Sequence, residues 1–176
     1  MLTDPVKNLK AFRLKEDSIV ADLGAGTGFY SIALSHMVPK GKVYAVEIVK
    51  DFLAAIRHKV KEAHLQNVEI IWGNIEKVGG TKIGEGVADA VIASNVFSQV
   101  EDKDNFILEI KRILKERGKV LLIDWSDASS SLGPRLGAVI PLNKAREMFE
   151  RKGFIVERDI NPGAHHYGMI LVKINE

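Results

Sequence analysis

The sequence predicts an α/β fold in which a mainly parallel, doubly wound sheet carries helices on both faces. Three observations predict it. Short apolar segments alternate with amphipathic ones, glycine or proline separates most of them, and polar residues follow the ends of the apolar segments. Only a short Gly/Pro loop separates the last two apolar segments, so we expect them to pair as an antiparallel hairpin at one sheet edge.

The first half of the chain is predicted to hold three strands and two helices. Residues 18–23 are apolar and end at a glycine, which is typical of a buried strand. Residues 28–38 are predicted to be helical until a proline and a glycine stop them. A second strand at 42–48 precedes an amphipathic helix with Asp51 near its positive end, and residues 68–72 form the third predicted strand.

The second half is predicted to hold the remaining strands and two further helices. The predicted strands are 87–93, 119–125, 154–159 and 167–174. Asp102 is placed to cap the helix between the first two of them, and Gly118 to end that helix in the left-handed conformation. Asn143 is placed to cap the last helix.

Length and composition bound the function. The 176 residues suit one domain spanning 1–176. The 25 basic and 23 acidic residues give a formal net charge of +2 and are spread along the chain, so nucleic acid is not an expected partner. The absence of cysteine excludes disulfides and cysteine nucleophiles. The chain has neither the roughly 20 apolar residues of a membrane span nor a signal-peptide pattern, so we expect a cytoplasmic protein.

A glycine-rich turn follows the first strand, where ligands bind to parallel sheets. It reads D-L-G-A-G-T-G over residues 22–28, and such glycines allow a tight turn and close approach of a ligand. A dinucleotide fingerprint would need a third glycine at position 29, which is phenylalanine here. Asp22 would also repel a pyrophosphate, whereas it suits a ligand that carries an ammonium group.

An acidic residue ends the second strand. Glu47 lies 19 residues beyond Gly28, where Rossmann-type sites use a carboxylate to accept hydrogen bonds from ribose hydroxyls. A ribose and a nearby cation without a phosphate describe S-adenosylmethionine. The combination of strand, Asp22, alternating glycines, helix, second strand and Glu47 therefore predicts this cofactor.

The segment 20–31, V-A-D-L-G-A-G-T-G-F-Y-S, resembles the first motif of class I S-adenosylmethionine-dependent methyltransferases. The resemblance covers nearly the whole chain and is strongest for small members similar to ubiquinone/menaquinone-biosynthesis methyltransferases. It implies a Rossmann-like α/β fold with helices on both faces of the sheet. Later motifs of the family are matched by residues 42–48, 73–75, 89–96 and 114–123.

The resemblance implies roles for nine cofactor-binding residues. They are Asp22, Gly24, Ala25, Gly26, Glu47, Ile48, Asn74, Ile75 and Asn95. The turn after the first strand would hold the methionine end, Glu47 the ribose hydroxyls, and Ile48 and Ile75 the adenine. Asn74 stands where the family usually has aspartate, but its side-chain oxygen can still accept a bond from the adenine amino group. Asn95 would line the space between methionine and acceptor.

Candidates for acting on the acceptor are fewer. Many close relatives carry His-His where this chain has Ser98 and Gln99, so a role of that histidine pair cannot be carried over. Asp124, after the fifth strand, either orients or deprotonates an acceptor or caps a turn, and the turn is favoured. Arg135, in a loop at 126–137 that could form a flap, either pairs with an anionic acceptor or is solvated.

His166 is the remaining candidate, either as a general base or as a hydrogen-bonding residue at a strand edge. Adjacent side chains of a strand point to opposite faces, so at most one of His165 and His166 points inward. This argues against a two-histidine metal site, and no metal is predicted. The N-terminal residues 4–14 are expected to form a helix that could cover the cofactor.

The expected function is methyl transfer from S-adenosylmethionine to a small-molecule acceptor by in-line displacement. Three alternatives remain open. The chain could be a non-catalytic S-adenosylmethionine-binding module, or an RNA or protein methyltransferase that works with a partner subunit. An NAD-dependent enzyme is disfavoured by Asp22 and Phe29. The sequence leaves the oligomeric state undetermined.

Overall fold

The computed structural model describes residues 4–127, 133–134 and 137–174. Its strands are β1 (Ile19–Leu23), β2 (Lys42–Glu47), β3 (Val68–Trp72), β4 (Ala88–Ser94), β5 (Leu114–Trp125), β6 (Phe154–Ile160) and β7 (His166–Lys173). Its helices are α1 (Pro5–Phe12), α2 (Phe29–Met37), α3 (Lys50–Glu62), α4 (Lys103–Ile113) and α5 (Leu142–Glu150).

These strands form one sheet in the order β3-β2-β1-β4-β5-β7-β6. Strands β1 to β5 pair in parallel, whereas β7 pairs antiparallel with both β5 and β6. The strand order reverses between β1 and β4, which is where ligands bind to doubly wound sheets. The predicted fold class is therefore confirmed, including the antiparallel pair at the end of the chain.

Helices cover both faces of the sheet because its central strands carry apolar side chains on both sides. In β5, Leu122 packs with Phe106 of α4 and Phe149 of α5 in one core cluster. Its neighbour Leu121 points the other way and packs with Leu9 of α1 in a second cluster, which also includes residues of α2. Helix α3 covers β2 and β3 on the face of α1 and α2.

Two of the three predicted helix caps are wrong. Asp102 does cap α4, accepting a 2.9 Å hydrogen bond from the Asn105 N–H. However, α4 ends at Ile113 and β5 begins at the next residue, so Gly118 lies inside β5 and Arg117 takes the positive φ of 57°. Helix α5 begins after Pro141 instead of Asn143, because proline presets a helix-compatible entry.

Helix α1 packs against α2 at the side of the sheet. Its Asn8 side chain donates a buried 2.9 Å hydrogen bond to Tyr30 Oη. A cavity opens at the carboxyl ends of β1 to β4. None of the described residues that line it belongs to α1, so this helix does not itself cover the cavity. In the part of the chain that the structure describes, no helix has the length and apolar character needed to cross a membrane.

Candidate cofactor site

A cavity of about 650 Å³ opens at the carboxyl ends of β1, β2, β3 and β4. All nine residues predicted to bind the cofactor line it. They come from the ends of β1 and β2 and from the segments that follow β1 to β4, and the parallel register of the strands brings these to the same edge of the sheet. The structure thus collects the predicted residues in one place.

The turn between β1 and α2 depends on its glycines. Gly24, Gly26 and Gly28 have φ values of 72°, 55° and 83°, a region that other residues rarely adopt. A Cβ on Gly24 would also lie 2.5 Å from Val96 Cγ2. The Gly24 and Ala25 N–H groups donate to Val46 O at 2.9 and 3.0 Å, which ties the turn to β2.

Asp22 is a buried carboxylate at the floor of the cavity. It is 2% exposed and accepts a 2.6 Å hydrogen bond from Ser31 Oγ. Burial and the nearby Glu47 raise the pKa of the Asp22 carboxyl to about 6, although the Ser31 hydrogen bond opposes the shift. A ligand ammonium would stabilise the ionised form of this group, so Asp22 suits the cationic end of a ligand.

Glu47 is held in place by backbone donors. Its Oε2 accepts a 2.8 Å hydrogen bond from Gly26 N–H, and its Oε1 accepts bonds from Ile48 and Val49 N–H at 2.8 and 2.9 Å. These bonds fix the carboxylate between the glycine turn and the start of α3. A carboxylate offers about four lone-pair sites and three are used here, so about one remains for a ligand hydroxyl group.

The far end of the cavity is bounded by the loop after β3. Asn74 and Ile75 line the cavity there, and Ile48, which is 53% exposed, lines it from the end of β2. An exposed isoleucine at a cavity wall is suited to contact with a flat apolar ring. The Asn74 Oδ1 accepts a 2.9 Å hydrogen bond from Glu76 N–H, which shapes the loop.

Asn95 carries a buried polar atom that lacks a partner. Its backbone takes a φ of 56° and its N–H donates to Ile123 O at 2.8 Å. Its Oδ1 is buried and accepts no hydrogen bond from any described residue. Leaving such an acceptor unsatisfied costs about 1–3 kcal/mol.

The two candidates for acting on the acceptor lie elsewhere. Neither Asp124 nor His166 is among the described residues that line the cavity. Asp124 is buried and accepts hydrogen bonds from Ser98 N–H, Ser98 Oγ and Trp125 N–H at 2.7–2.9 Å. Burial raises the pKa of the Asp124 carboxyl despite these bonds.

His166 lies on the opposite face of the sheet from Asp124. Asp124 is in register with Tyr167, whereas His166 is in register with Trp125 and its ring centroid lies 4.1 Å from that of the indole. His166 Nδ1 lies 3.1 Å from Ala164 O, while its buried Nε2 has no partner among the described residues. His165 is about half-exposed, in agreement with only one of the pair pointing inward. Arg135 lies outside the described residues.

The structure also places residues at the cavity that the sequence argument did not single out. Phe29 and Tyr30 line it from the first turn of α2, and Phe52 lines it from α3. The sequence could have indicated them by position, because Phe29 and Tyr30 follow the glycine turn and Phe52 lies in the first turn after β2. Among the described residues, no group of three His, Asp or Glu side chains converges as a metal site.

Comparisons with known proteins agree with this geometry. A methyltransferase-domain family matches residues 14–153. The demethylmenaquinone methyltransferase of Listeria welshimeri is 31% identical over 121 residues, which cover 68% of this chain and 50% of that protein. That of Bacillus mycoides is 28% identical over 135 residues, covering 76% and 55%. The chain thus spans about half the length of the curated relatives it matches.

A solved structure extends the likeness to the whole fold. A S-adenosylmethionine-dependent methyltransferase from Aquifex aeolicus superposes with a TM-score of 0.89 and 30% identity, over 98% of this chain and 91% of that one. The chain belongs to the methyltransferase-domain family, and it has the fold of the class I methyltransferases that use S-adenosylmethionine as their cofactor. The buried Asp22, the oriented Glu47 and the unsatisfied Asn95 oxygen fit such a ligand.

Proposed function

We propose that this chain transfers a methyl group from S-adenosylmethionine to a small-molecule acceptor, through the cavity at the carboxyl ends of β1 to β4. One observation carries the proposal. Asp22 and Glu47 lie at the carboxyl ends of β1 and β2, and Asn74 follows β3; these three strands are consecutive in the sheet. Their order along the cavity matches the order of methionine, ribose and adenine in the extended cofactor.

The chain's own residues bind and orient the ligand in this proposal. Asp22 accepts hydrogen bonds from the ammonium group, with the backbone of Gly24, Ala25 and Gly26 beside it. Glu47 accepts a bond from a ribose hydroxyl while it holds Gly26 N–H. When bound, the cofactor would supply a methyl group on a positively charged sulfur, and S-adenosylhomocysteine would leave as the acceptor bonds to the methyl carbon in line. Fixing reactants in this way supplies up to about 7–11 kcal/mol of a barrier.

The charges around the cavity support a small acceptor over a polyanion. Asp22, Glu47, Glu76 and Glu101 line it, and no lysine, arginine or histidine is among the described lining residues. A nucleic acid would meet repulsion at this mouth. The relatives named for demethylmenaquinone supply the first compound to test, a short-chain demethylmenaquinol.

The proposal is tested in two stages. Calorimetry with S-adenosylhomocysteine comes first, using the wild type, Glu47→Gln and the exposed control Glu62→Gln. We expect micromolar binding that Glu47→Gln weakens about tenfold or more, since hydrogen bonds to charged groups contribute about 1.5–3 kcal/mol, and that Glu62→Gln leaves unchanged. Absence of binding by folded wild-type protein contradicts the proposed site.

Methyl transfer is then measured with labelled S-adenosylmethionine and three acceptor sets: the demethylmenaquinol with other small phenols and amines, total RNA, and cell-extract protein. Labelling confined to the small molecules supports the proposal. Labelling of RNA or protein alone replaces it with a macromolecular acceptor. Tight cofactor binding without transfer to any set points to a non-catalytic binding module.

A further inference from the structure

In the loop after β3, Asn74 has a side-chain amide, which offers a hydrogen-bond donor that an aspartate at the same position would lack. Asn74 Oδ1 accepts the 2.9 Å hydrogen bond from Glu76 N–H, which is an Asx turn. The amide oxygen is thus used within the loop. The other end of the amide is Nδ2, a donor, and it makes no hydrogen bond to any described residue.

The backbone around Asn74 is held in place, and reversing the side-chain amide would cost the hydrogen bond from Glu76 N–H. Asn74 N–H donates to Gly80 O at 3.1 Å, and a Cβ on Gly80 would lie only 2.1 Å from Asn74 O. Buried Glu109 accepts hydrogen bonds from the Gly79 and Thr81 N–H groups at 2.7 and 3.2 Å. A flipped Asn74 amide would set Nδ2 against the Glu76 N–H, which places two donors face to face.

The position of the base follows from the proposed function, on which this inference rests. If Asp22 holds the ammonium and Glu47 the ribose, the base must extend further in the direction of β3. There Ile48 and Ile75 line the cavity together with Asn74, the first polar side chain after β3. Its half-buried amide therefore meets the polar edge of the purine.

We propose that Asn74 meets the purine as a hydrogen-bond donor, so that this site does not select for the exocyclic amine of adenine. A donor can bond to ring N1 of adenine, and it can bond to the 6-oxo group of hypoxanthine, whose N1 carries a proton. A carboxylate at the same position would accept from the adenine amine, whereas with hypoxanthine it would be repelled by the 6-oxo group and could accept only from N1–H. The ligand class is therefore a purine nucleoside thioether that carries either an amino or an oxo group at C6.

The test compares two ligands by calorimetry: S-adenosylhomocysteine and its deaminated analogue, S-inosylhomocysteine. For the wild type, we expect the two dissociation constants to agree within about threefold, because each ligand offers an acceptor to Nδ2. For Asn74→Asp, we expect a preference for the adenine ligand of about tenfold or more, since one carboxylate oxygen keeps the Glu76 bond and the other accepts the amine.

Asn143→Asp is the matched control, because it makes the same chemical change at an exposed residue of α5 outside the cavity. It should keep the wild-type ratio. A wild-type preference of tenfold or more for the adenine ligand overturns the inference, and so does an Asn74→Asp ratio equal to that of the wild type. Failure of the wild type to bind either ligand instead contradicts the proposed function, so the two failures are distinguishable.

Discussion

At the scale of single residues, Asp22 illustrates a conflict between stability and binding. Its burial places a carboxylate in the core with Ser31 Oγ as a hydrogen-bond partner, and no ion pair to Asp22 is found among the described residues. A group in this situation stabilises the folded chain least when it is ionised. The same property makes it a strong partner for a ligand cation.

We predict that Asp22→Asn stabilises the ligand-free protein at pH 7.5 while weakening ligand binding. The folded pKa of about 6 lies above the ordinary 3.8. The stability associated with the protonated form is therefore fully present below pH 3.8 and is lost as the pH rises through about 6. The gain from Asp22→Asn should be about 1–3 kcal/mol, measured by urea unfolding. A less stable variant would contradict this reading.

Ligand affinity should follow the same titration. In calorimetry, the wild type is expected to bind S-adenosylhomocysteine about tenfold more weakly at pH 5 than at pH 7.5, because only about a tenth of a group with a pKa near 6 is ionised at pH 5. Asp22→Asn should show weak binding with little pH dependence. A pH profile shared by the wild type and the variant would assign the titration to another group.

Asp124 is also a buried carboxylate with a raised pKa, but its oxygens accept three hydrogen bonds from the chain. We predict that Asp124→Asn lowers the free energy of unfolding by about 1–3 kcal/mol, because the amide turns one acceptor into a donor facing N–H groups. Full stability together with a lost ionisation in the rate profile would instead make Asp124 the general base. His166→Gln tests the other candidate by the same two measurements.

At the scale of elements, α4 secures the loop that carries Asn74. Buried Glu109 accepts bonds from Gly79, Thr81 and Arg112, and Arg112 also donates to Ile83 O. Burial alone would raise the pKa of Glu109, but the hydrogen bonds from Arg112, Thr81 and Gly79 outweigh it and lower the pKa. The loop therefore depends on a helix that the sequence pattern described only by its apolar face.

We predict that Glu109→Gln lowers the free energy of unfolding by about 2–4 kcal/mol at pH 7, since a buried charge partner of Arg112 is removed. Because the folded pKa is depressed, this stabilisation is present above the ordinary pKa of 4.5 and is lost as the pH falls through the lower folded value. The exposed Glu150→Gln is the control in urea unfolding. Equal effects of the two variants would argue against a stabilising role for the hydrogen bonds that Glu109 accepts.

At the scale of the whole molecule, the cavity is formed from loops that are far apart in sequence, and ligand binding should stabilise the fold they share. At a hundredfold excess over the dissociation constant, S-adenosylhomocysteine is expected to add about 2.7 kcal/mol to the free energy of unfolding. Differential scanning calorimetry checks this as a rise in Tm. Glu47→Gln should reduce the rise at the same ligand concentration, and a rise equal to that of the wild type would contradict its role.

The sequence by itself determined the alternation of strands and helices and the residues at the strand ends. These depend on local signals: apolar runs such as V-L-L-I in β5, the cap at Asp102, and glycines that allow left-handed backbone. The resemblance to class I methyltransferases rests on the same local segments. For this reason all nine predicted cofactor residues could be named before their positions in space were known.

Only the tertiary structure decided how these groups pair. It placed Asp124 and His166 on opposite faces of the sheet, bonded Asp124 to Ser98, and used the Asn74 oxygen within its own loop. It also buried Glu109 against Thr81, 28 residues away. Strand register and the packing of α4 set these contacts, and both depend on the summed burial of distant apolar residues. A residue's type limits which bonds it can make, but the fold selects the bond that is made.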